Sequence, residues 1–208
     1  TDILVKAPAP MASAGFGDIL GKVIAKTDWI LSNTVNNEPI NEKAMEMVEN
    51  AVSECIDLVL KVKKTSNGLK ADLNTAEIAE ALMRALITAG LSMAIAGNSR
   101  PAAGSEHLIS HFLGMKALFD LAPTHLHGRK VAFGTFLMAK LYYKVFSLNF
   151  SEFSILIRKE TAVSDAEYEK IWKDYLLKAY GPLGEGRCIR WKKLRPDKDR
   201  ISILINTL

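Results

Sequence analysis

Apolar residues recur along this chain at spacings of three and four, the pattern of helices that bury one face. Only 3–6 and 201–205 look strand-like, which is too little to build a sheet of any size. The sequence therefore predicts an all-α fold, a multi-helix bundle. Its expected helices run over about 18–33, 41–63, 75–96, 106–118, 128–146, 151–158 and 164–179.

Helix-capping residues support several of these boundaries. Asn41, Thr75 and Ser105 each stand just before a helical pattern and can accept a hydrogen bond from a free backbone N–H of the first turn. Asn-Asn-Glu-Pro at 36–39 interrupts the pattern and separates the first two helices. The first helix is expected to bury one apolar side, which includes Ile19, Val23 and Ile30.

Length and composition describe an ordinary globular protein. The 208 residues, 49% hydrophobic and 24% charged, suit one substantial domain. The longest nearly uncharged run, 86–98, is too short to span a bilayer and predicts a buried core helix rather than a membrane contact. No secretory signal is apparent, and Cys55 and Cys188 are expected to be reduced thiols. These features predict a cytoplasmic protein.

The net charge of +4 comes from one short stretch. Residues 185–200 hold seven basic and three acidic residues, so the rest of the chain is neutral. We therefore expect a helical domain over 1–184 and a basic C-terminal tail over 185–208, and nucleic-acid binding is not favoured. The chain begins at Thr1 without an initiator methionine, which suggests a fragment or a processed chain.

Three segments carry candidate chemistry, because each sets ionisable residues beside glycine or serine where a helix is expected to begin. They are Gly-Phe-Gly-Asp at 15–18, Ser-Glu-His at 105–107 and His-Gly-Arg-Lys at 127–130. One Asp and two neutral His side chains form a three-ligand set with an open fourth position, the arrangement of catalytic zinc-type sites. The residues alone leave an alternative open, in which the Asp is a helix cap and each His is a satisfied packing partner.

The same three segments, extended, resemble a known family. "AGFGDILGKVIAKTDWILS" at 14–32, "GNSRPAAGSEHLISHFL" at 97–113 and "HGRKVAFGTFLMA" at 127–139 are similar to successive motifs of sn-glycerol-1-phosphate dehydrogenases. This family is related to the glycerol dehydrogenases and the iron-containing alcohol dehydrogenases. The resemblance is most specific at Ser-Arg-Pro-Ala-x-Gly-Ser-Glu-His, and it implies the helical, metal-binding C-terminal domain of such an enzyme.

The resemblance implies roles for six residues. Asp18, His107 and His127 match the ligands of a divalent metal, which could be zinc, nickel or iron. Ser99, Arg100 and His111 match positions near the substrate. For Arg100, contact with a phosphate and bracing of the loop are both open, and His111 is either a substrate contact, a support for the ligands or a packed helix residue.

The implied reaction is reduction of dihydroxyacetone phosphate, a phosphorylated triose, to the polyol phosphate sn-glycerol 1-phosphate, with NAD or NADP. The nicotinamide would be held by an α/β domain that is absent from these 208 residues, so the chain is expected to be inactive alone. Arg129 departs from the family's His-Gly-Glu. Two alternatives stay open, a non-catalytic helical interaction or homo-oligomerisation module and a dehydroquinate-synthase-like lyase.

Overall fold

The computed structural model describes residues 2–65, 75–161 and 163–180, and within them every regular element is a helix. The predicted all-α fold is therefore confirmed, while the expected strand at 201–205, the basic tail and Cys188 lie outside the described residues. A short 3-10 helix, Leu4–Lys6, precedes seven α-helices: α1 (Ala9–Asn36), α2 (Glu42–Thr65), α3 (Ala76–Ala96), α4 (Ser105–Phe119), α5 (His127–Phe146), α6 (Phe150–Thr161) and α7 (Asp165–Tyr180).

Two expectations at the amino-terminal end are wrong. Residues 3–6 do not form a strand, because Leu4–Lys6 closes a 3-10 turn in which Ala7 N–H donates to the Leu4 carbonyl. α1 begins at Ala9, nine residues earlier than predicted, with prolines on both sides of its first residue. Proline suits the first turn of a helix, since the N–H that it lacks would have no partner there. Gly-Phe-Gly-Asp therefore lies inside α1 and not at a helix start.

The predicted caps are confirmed at two of three positions. Asn41 Oδ1 accepts from Ala44 N–H at 3.0 Å, and Thr75 Oγ1 accepts from Ile78 N–H at 3.3 Å. Ser105 is wrong as a cap: it is the first residue of α4, Gly104 takes the cap position, and the Ser105 N–H donates to the Asp28 carboxylate of α1. The Asp28 side chain of α1 thus accepts from a free N–H at the start of α4, a role that the sequence analysis assigned to Ser105.

The helices pack as two groups that share α1. α2 lies against α3, while α5 lies against both α1 and α4. The apolar core sits where α1 meets the α2–α3 pair. It consists of Ile19, Val48, Val52, Cys55, Leu82, Ala85, Ala89 and Ala102.

α1 buries a different side from the one predicted. Ile19 is fully buried, but Val23 and Ile30 are about half exposed, because the apolar cluster around Ile19 does not extend along the helix to those positions. The buried positions of the following turns are instead Gly21, Lys22, Ile24, Ala25 and Trp29. A buried lysine at that place shows that this part of α1 faces something polar.

The apolar run at 86–98 belongs to a longer helix than expected. α3 has 21 residues, and within the described parts of the chain it is the one helix long and apolar enough to cross a membrane by length and composition. The core helix of a water-soluble protein passes the same test. α3 contributes Leu82, Ala85 and Ala89 to the apolar core, but within 86–98 only Ala89 and Ser92 are buried and Ile87, Leu91 and Ile95 are exposed, so the prediction that this run is buried is wrong.

Candidate metal centre

Glycines allow α1 and α5 to come into backbone contact beside the candidate ligands. A Cβ on Gly17 would lie 2.5 Å from the Gly128 carbonyl oxygen, and a Cβ on Gly128 would lie 1.7 Å from the Ala14 carbonyl oxygen. No other residue type fits at either position without moving a helix. The approach sets Asp18, one residue beyond Gly17, next to His127, the first residue of α5.

Three side-chain atoms that could bind a metal lie close together beside this contact between α1 and α5. Nε2 of His107 lies 3.3 Å from Asp18 Oδ1, Nε2 of His127 lies 3.5 Å from the same oxygen, and the two nitrogens are 3.3 Å apart. The side chains of Asp18 and His107 are largely buried, whereas that of His127 is 55% exposed. The three predicted metal residues are therefore brought together, with one side open to solvent.

The size of this triangle fits a small divalent metal. Metal bonds of about 2.0–2.2 Å to nitrogen and oxygen, at tetrahedral angles, separate neighbouring ligand atoms by about 3.3–3.6 Å. The three observed separations fall within that range. Two imidazole nitrogens and one carboxylate oxygen also form the mixed donor set that zinc, nickel and iron accept. The residues could thus hold such an ion, and the exposed His127 side chain leaves the site accessible from solvent.

Each candidate ligand also contacts a second residue, through an atom that is not part of the triangle. Lys22 Nζ donates to Asp18 Oδ2 at 2.8 Å, so the other carboxylate oxygen, Oδ1, is the one turned towards the histidines. Glu106 Oε1 lies 2.7 Å from His107 Nδ1. Ser110 Oγ lies 3.4 Å from His127 Nδ1, a weaker contact. In both histidines Nδ1 is engaged and Nε2 points to the centre of the triangle, as in metal-binding histidines generally.

Electrostatics in the metal-free triangle favour charge on Asp18. Burial works to raise the pKa of Asp18, but the hydrogen bond from His107 and the Lys22 ammonium outweigh it and bring the pKa to about 2. Burial likewise works against a charged His107, yet its hydrogen bonds to Asp18 and Glu106 raise its pKa above 6.5. Asp18 is therefore ionised at neutral pH.

The pKa of His127 is shifted in the opposite direction from that of His107. Burial lowers the pKa of His127, the charge of Asp18 works to raise it, and the positive charges of His107, His111 and Lys130 lower it further. The net shift is below the ordinary value of 6.5. His127 is thus mostly neutral at pH 7 and carries a free lone pair, the form in which histidine binds metals.

The three predicted substrate residues fall into two places. The ring of His111 lies 6.4 Å from the rings of both His107 and His127, so it borders the triangle. Arg100 donates to Glu38 at 2.6 and 2.8 Å and to Ser32 at 3.4 Å. Ser32 stands 14 residues after Asp18 on α1, roughly 20 Å along the helix axis, so Arg100 braces the far end of α1.

Ser99 stands beside Arg100 in the turn that joins α3 to α4. It is exposed, and its carbonyl oxygen accepts from the N–H groups of Ala102 and Ala103 at 3.0 and 2.8 Å. These bonds close the turn that leads to Gly104 and α4. The structure therefore does not bring Ser99 or Arg100 to the triangle.

Lys22 and Glu106 are the buried charged residues of this site that the sequence analysis did not single out. Both are almost completely buried, with 4% and 0% of their surface exposed. Glu106 carried a signal, since it directly precedes a candidate ligand, and Lys22 stands one helical turn after Asp18. Neither signal distinguishes a buried partner from a solvated charge without knowledge of which helix faces are covered.

Comparisons with known proteins agree with the motifs. The chain is 33% identical over 191 residues to a glycerol-1-phosphate dehydrogenase, NAD(P)+, of Bacillus velezensis, which covers 91% of this chain and 42% of the relative. It is 36% identical over 163 residues to that of Methanococcus maripaludis, covering 78% and 46%. A relative of the same name from Halalkalibacterium halodurans is 38% identical over 142 residues, covering 68% and 33%. No protein-family model matches the chain.

The resemblance inferred from the motifs is confirmed by these matches. The chain spans less than half the length of the curated relatives. Over most of its own length, it is similar to the glycerol-1-phosphate dehydrogenases.

Proposed function

We propose that this chain is the metal-binding catalytic half of an NAD(P)-dependent dehydrogenase that reduces dihydroxyacetone phosphate to sn-glycerol 1-phosphate. The observation that carries the proposal is the triangle of Asp18, His107 and His127, whose atoms are 3.3 to 3.5 Å apart. The names of the relatives support the reaction, and the preceding sequence motifs support the family.

The residues of the triangle would hold a divalent metal, zinc, nickel or iron. When bound, such an ion supplies Lewis-acid polarisation of a substrate oxygen at a position where negative charge develops. Asp18 Oδ1 and the two Nε2 atoms form the donor set, and Lys22 keeps the second carboxylate oxygen turned away. The 55% exposure of His127 leaves the side through which a ketone would approach.

The phosphate of the substrate would lie among the positive groups beside His127. His111 borders the triangle, and Lys130 stands in the first turn of α5 close enough for its charge to lower the pKa of His127. An anionic substrate group is stabilised there by the local positive potential. Of the three predicted substrate residues we retain His111 for contact, and we propose that Ser99 and Arg100 act by fixing the turn before α4.

The nicotinamide would come from a domain outside these 208 residues, since the chain spans less than half the length of the relatives it matches. We propose that residues 1–184 form the metal- and substrate-binding domain, that 185–208 form a basic tail and that the protein acts in the cytoplasm. The isolated chain would bind metal and not turn over, because hydride donor and ketone must be held together.

A domain-complementation experiment tests this proposal. The chain is fused behind the nucleotide-binding half of the Bacillus velezensis relative, and oxidation of NADH and NADPH is followed with dihydroxyacetone phosphate. We expect turnover that requires added metal and is lost on His107→Ala or His127→Ala, while Arg84→Ala, on the outer face of the α2–α3 pair, retains it. Metal binding by the chain without any turnover in the fusion would contradict the catalytic assignment.

A second candidate is a non-catalytic module of the same fold that forms oligomers. One observation favours it: Ile87, Leu91 and Ile95 form an exposed apolar stripe along α3 at four-residue spacing. In that case the fusion would be inactive and the chain would self-associate. Sedimentation velocity of the wild type against Leu91→Glu separates this outcome from simple inactivity.

A further inference from the structure

Glu106 is a buried acid outside the set of candidate ligands. It has no exposed surface, and it lies where α1, α4 and α5 are closest. Its Cγ is 3.1 Å from the position of a Cβ on Gly21 of α1, and its carbonyl oxygen is 2.4 Å from that of a Cβ on Gly134 of α5. Burying an ionisable side chain costs free energy unless hydrogen bonds offset it, so the position requires a reason.

The hydrogen bonds of Glu106 are concentrated on one oxygen. Oε1 accepts from Gly104 N–H at 2.9 Å and lies 2.7 Å from His107 Nδ1. Oε2 is buried and has no hydrogen-bond partner within the described part of the chain. The carboxylate is therefore oriented to serve the imidazole of His107 and not to maximise its own solvation.

The turn that carries Glu106 is itself anchored on both sides. Asp28 of α1 accepts from the Ser105 N–H through Oδ2, and its Oδ1 accepts from the hydroxyl of Tyr142 of α5. Asp28 Oδ2 also occupies the space that a Cβ on Gly104 would need. The backbone at 104–106 is thus fixed to two helices, and the Glu106 carboxylate starts from a rigid base.

From this geometry we propose that Glu106 is the positioning residue of His107. Its carboxylate accepts the Nδ1 hydrogen, and the ring is thereby held with Nε2 on the side of Asp18 and His127, where a bound metal would replace the hydrogen that Nε2 donates to Asp18 in the metal-free protein. The functional meaning rests on the proposed metal site, but the orientation of the ring exists without metal. Loss of such a partner costs about 10-fold to 100-fold in metal affinity.

Two substitutions separate the acceptor from the charge. Glu106→Gln keeps a carbonyl oxygen for both N–H groups and places its amide nitrogen where Oε2 has no partner. Glu106→Leu has similar bulk and no acceptor. We expect zinc affinity, measured by competition with a chromophoric chelator, to fall about 10-fold to 100-fold in the leucine variant and only a few-fold in the glutamine variant. Glu46→Gln, an exposed acid on α2, is the control for the lost charge.

The Nδ1 hydrogen of His107 is the readout that a purely structural role would not move. Proton and nitrogen-15 NMR of the metal-free chain should show a downfield, slowly exchanging Nδ1 hydrogen in the wild type and in Glu106→Gln, because Glu106 accepts it. In Glu106→Leu that hydrogen should exchange with solvent and be lost from the spectrum.

The Nδ1 hydrogen also distinguishes failure of this proposal from failure of the proposed function. A wild-type Nδ1 without a protected hydrogen, or unchanged protection and unchanged zinc affinity in Glu106→Leu, would overturn the positioning role. If the leucine variant does not fold, the wild-type spectrum decides by itself. A Glu106-dependent Nδ1 hydrogen in a chain that binds no zinc would support the positioning role and contradict the metal site.

Discussion

The two sides of α1 pack against their neighbours through different kinds of residue. Towards α2 and α3, α1 packs through an apolar cluster that includes Ile19, Val52 and Leu82. Towards α4 and α5, it packs through glycine contacts and buried polar side chains, among them Lys22 and Glu106. The first side gains stability from apolar burial, and the second holds charged groups that are useful only in one geometry. The comparison teaches that stability and site geometry are separable in this domain.

The largest effect on stability and zinc binding is expected where the side of α1 that faces α4 and α5 has no space for an added atom. Gly128→Ala would drive a Cβ into the Ala14 carbonyl group, so α1 and α5 must separate. We expect the free energy of unfolding to fall by about 3 kcal/mol or more and zinc binding to be lost. Urea unfolding monitored by circular dichroism, with a zinc titration, measures both quantities.

Gly90→Ala is the matched control for this substitution. A Cβ on Gly90 meets nothing within 4 Å, and the residue is exposed in the middle of α3. Alanine should stabilise the helix there by about 0.5–1 kcal/mol. Equal effects of the two substitutions would refute the claim that the α1–α5 contact is specifically intolerant.

A cavity in the apolar side should reduce stability without disturbing the site. Leu82→Ala removes a buried side chain of α3 from the core cluster, and we expect a loss of about 2–5 kcal/mol in the free energy of unfolding. Zinc affinity of the folded protein should stay within a few-fold of the wild type. A large fall in affinity at temperatures where the variant is folded would mean that the two sides are coupled.

The polar side should make stability depend on pH through His107. The folded pKa of His107 is raised above 6.5, so its contribution to the metal-free protein is fully present below pH 6.5 and is lost as pH rises through the folded pKa. Urea midpoints in the presence of a chelator should fall over that interval in the wild type and not in His107→Asn. His125→Asn, at an exposed position outside the triangle, should behave as the wild type.

The smallest effect is expected at the far end of α1. Arg100→Met removes a half-buried guanidinium that pairs with Glu38, and solvent screens this pair, so the loss should be about 1 kcal/mol or less. The pKa of Glu38, which Arg100 holds below its ordinary value against the opposing effect of burial, should rise. Zinc affinity should not change, and a fall would indicate that Arg100 belongs to the site after all.

The sequence predicted the apolar side of the molecule better than the polar side. Helix periodicity predicted α2 and α3 to within about two residues of their observed bounds, because apolar burial repeats with the turn of the helix. It predicted the start of α1 wrongly, and it predicted that the exposed Val23 and Ile30 are buried. One helix's own pattern does not show which of its sides the neighbouring helices cover.

The sequence motifs identified the candidate ligands, but they did not identify the contacts that bring the ligands together. Asp18, His107 and His127 were found because the residue types and the flanking glycines match a family. Their 3.3–3.5 Å separations depend on the α1–α5 contact at Gly17 and Gly128, which no local pattern specifies. Sequence reasoning therefore identified the chemistry, while the three-dimensional packing determined whether the residues could act together.

The central claim is that the triangle binds a metal ion through two histidines and an aspartate, and X-ray absorption of the zinc-loaded chain tests it most directly. The account predicts one zinc per chain with only nitrogen and oxygen neighbours at about 2.0–2.2 Å, two of them imidazoles. Imidazole scattering should drop by one ring in His107→Ala and in His127→Ala. A sulfur neighbour at about 2.3 Å, or a spectrum that neither substitution changes, would contradict the account.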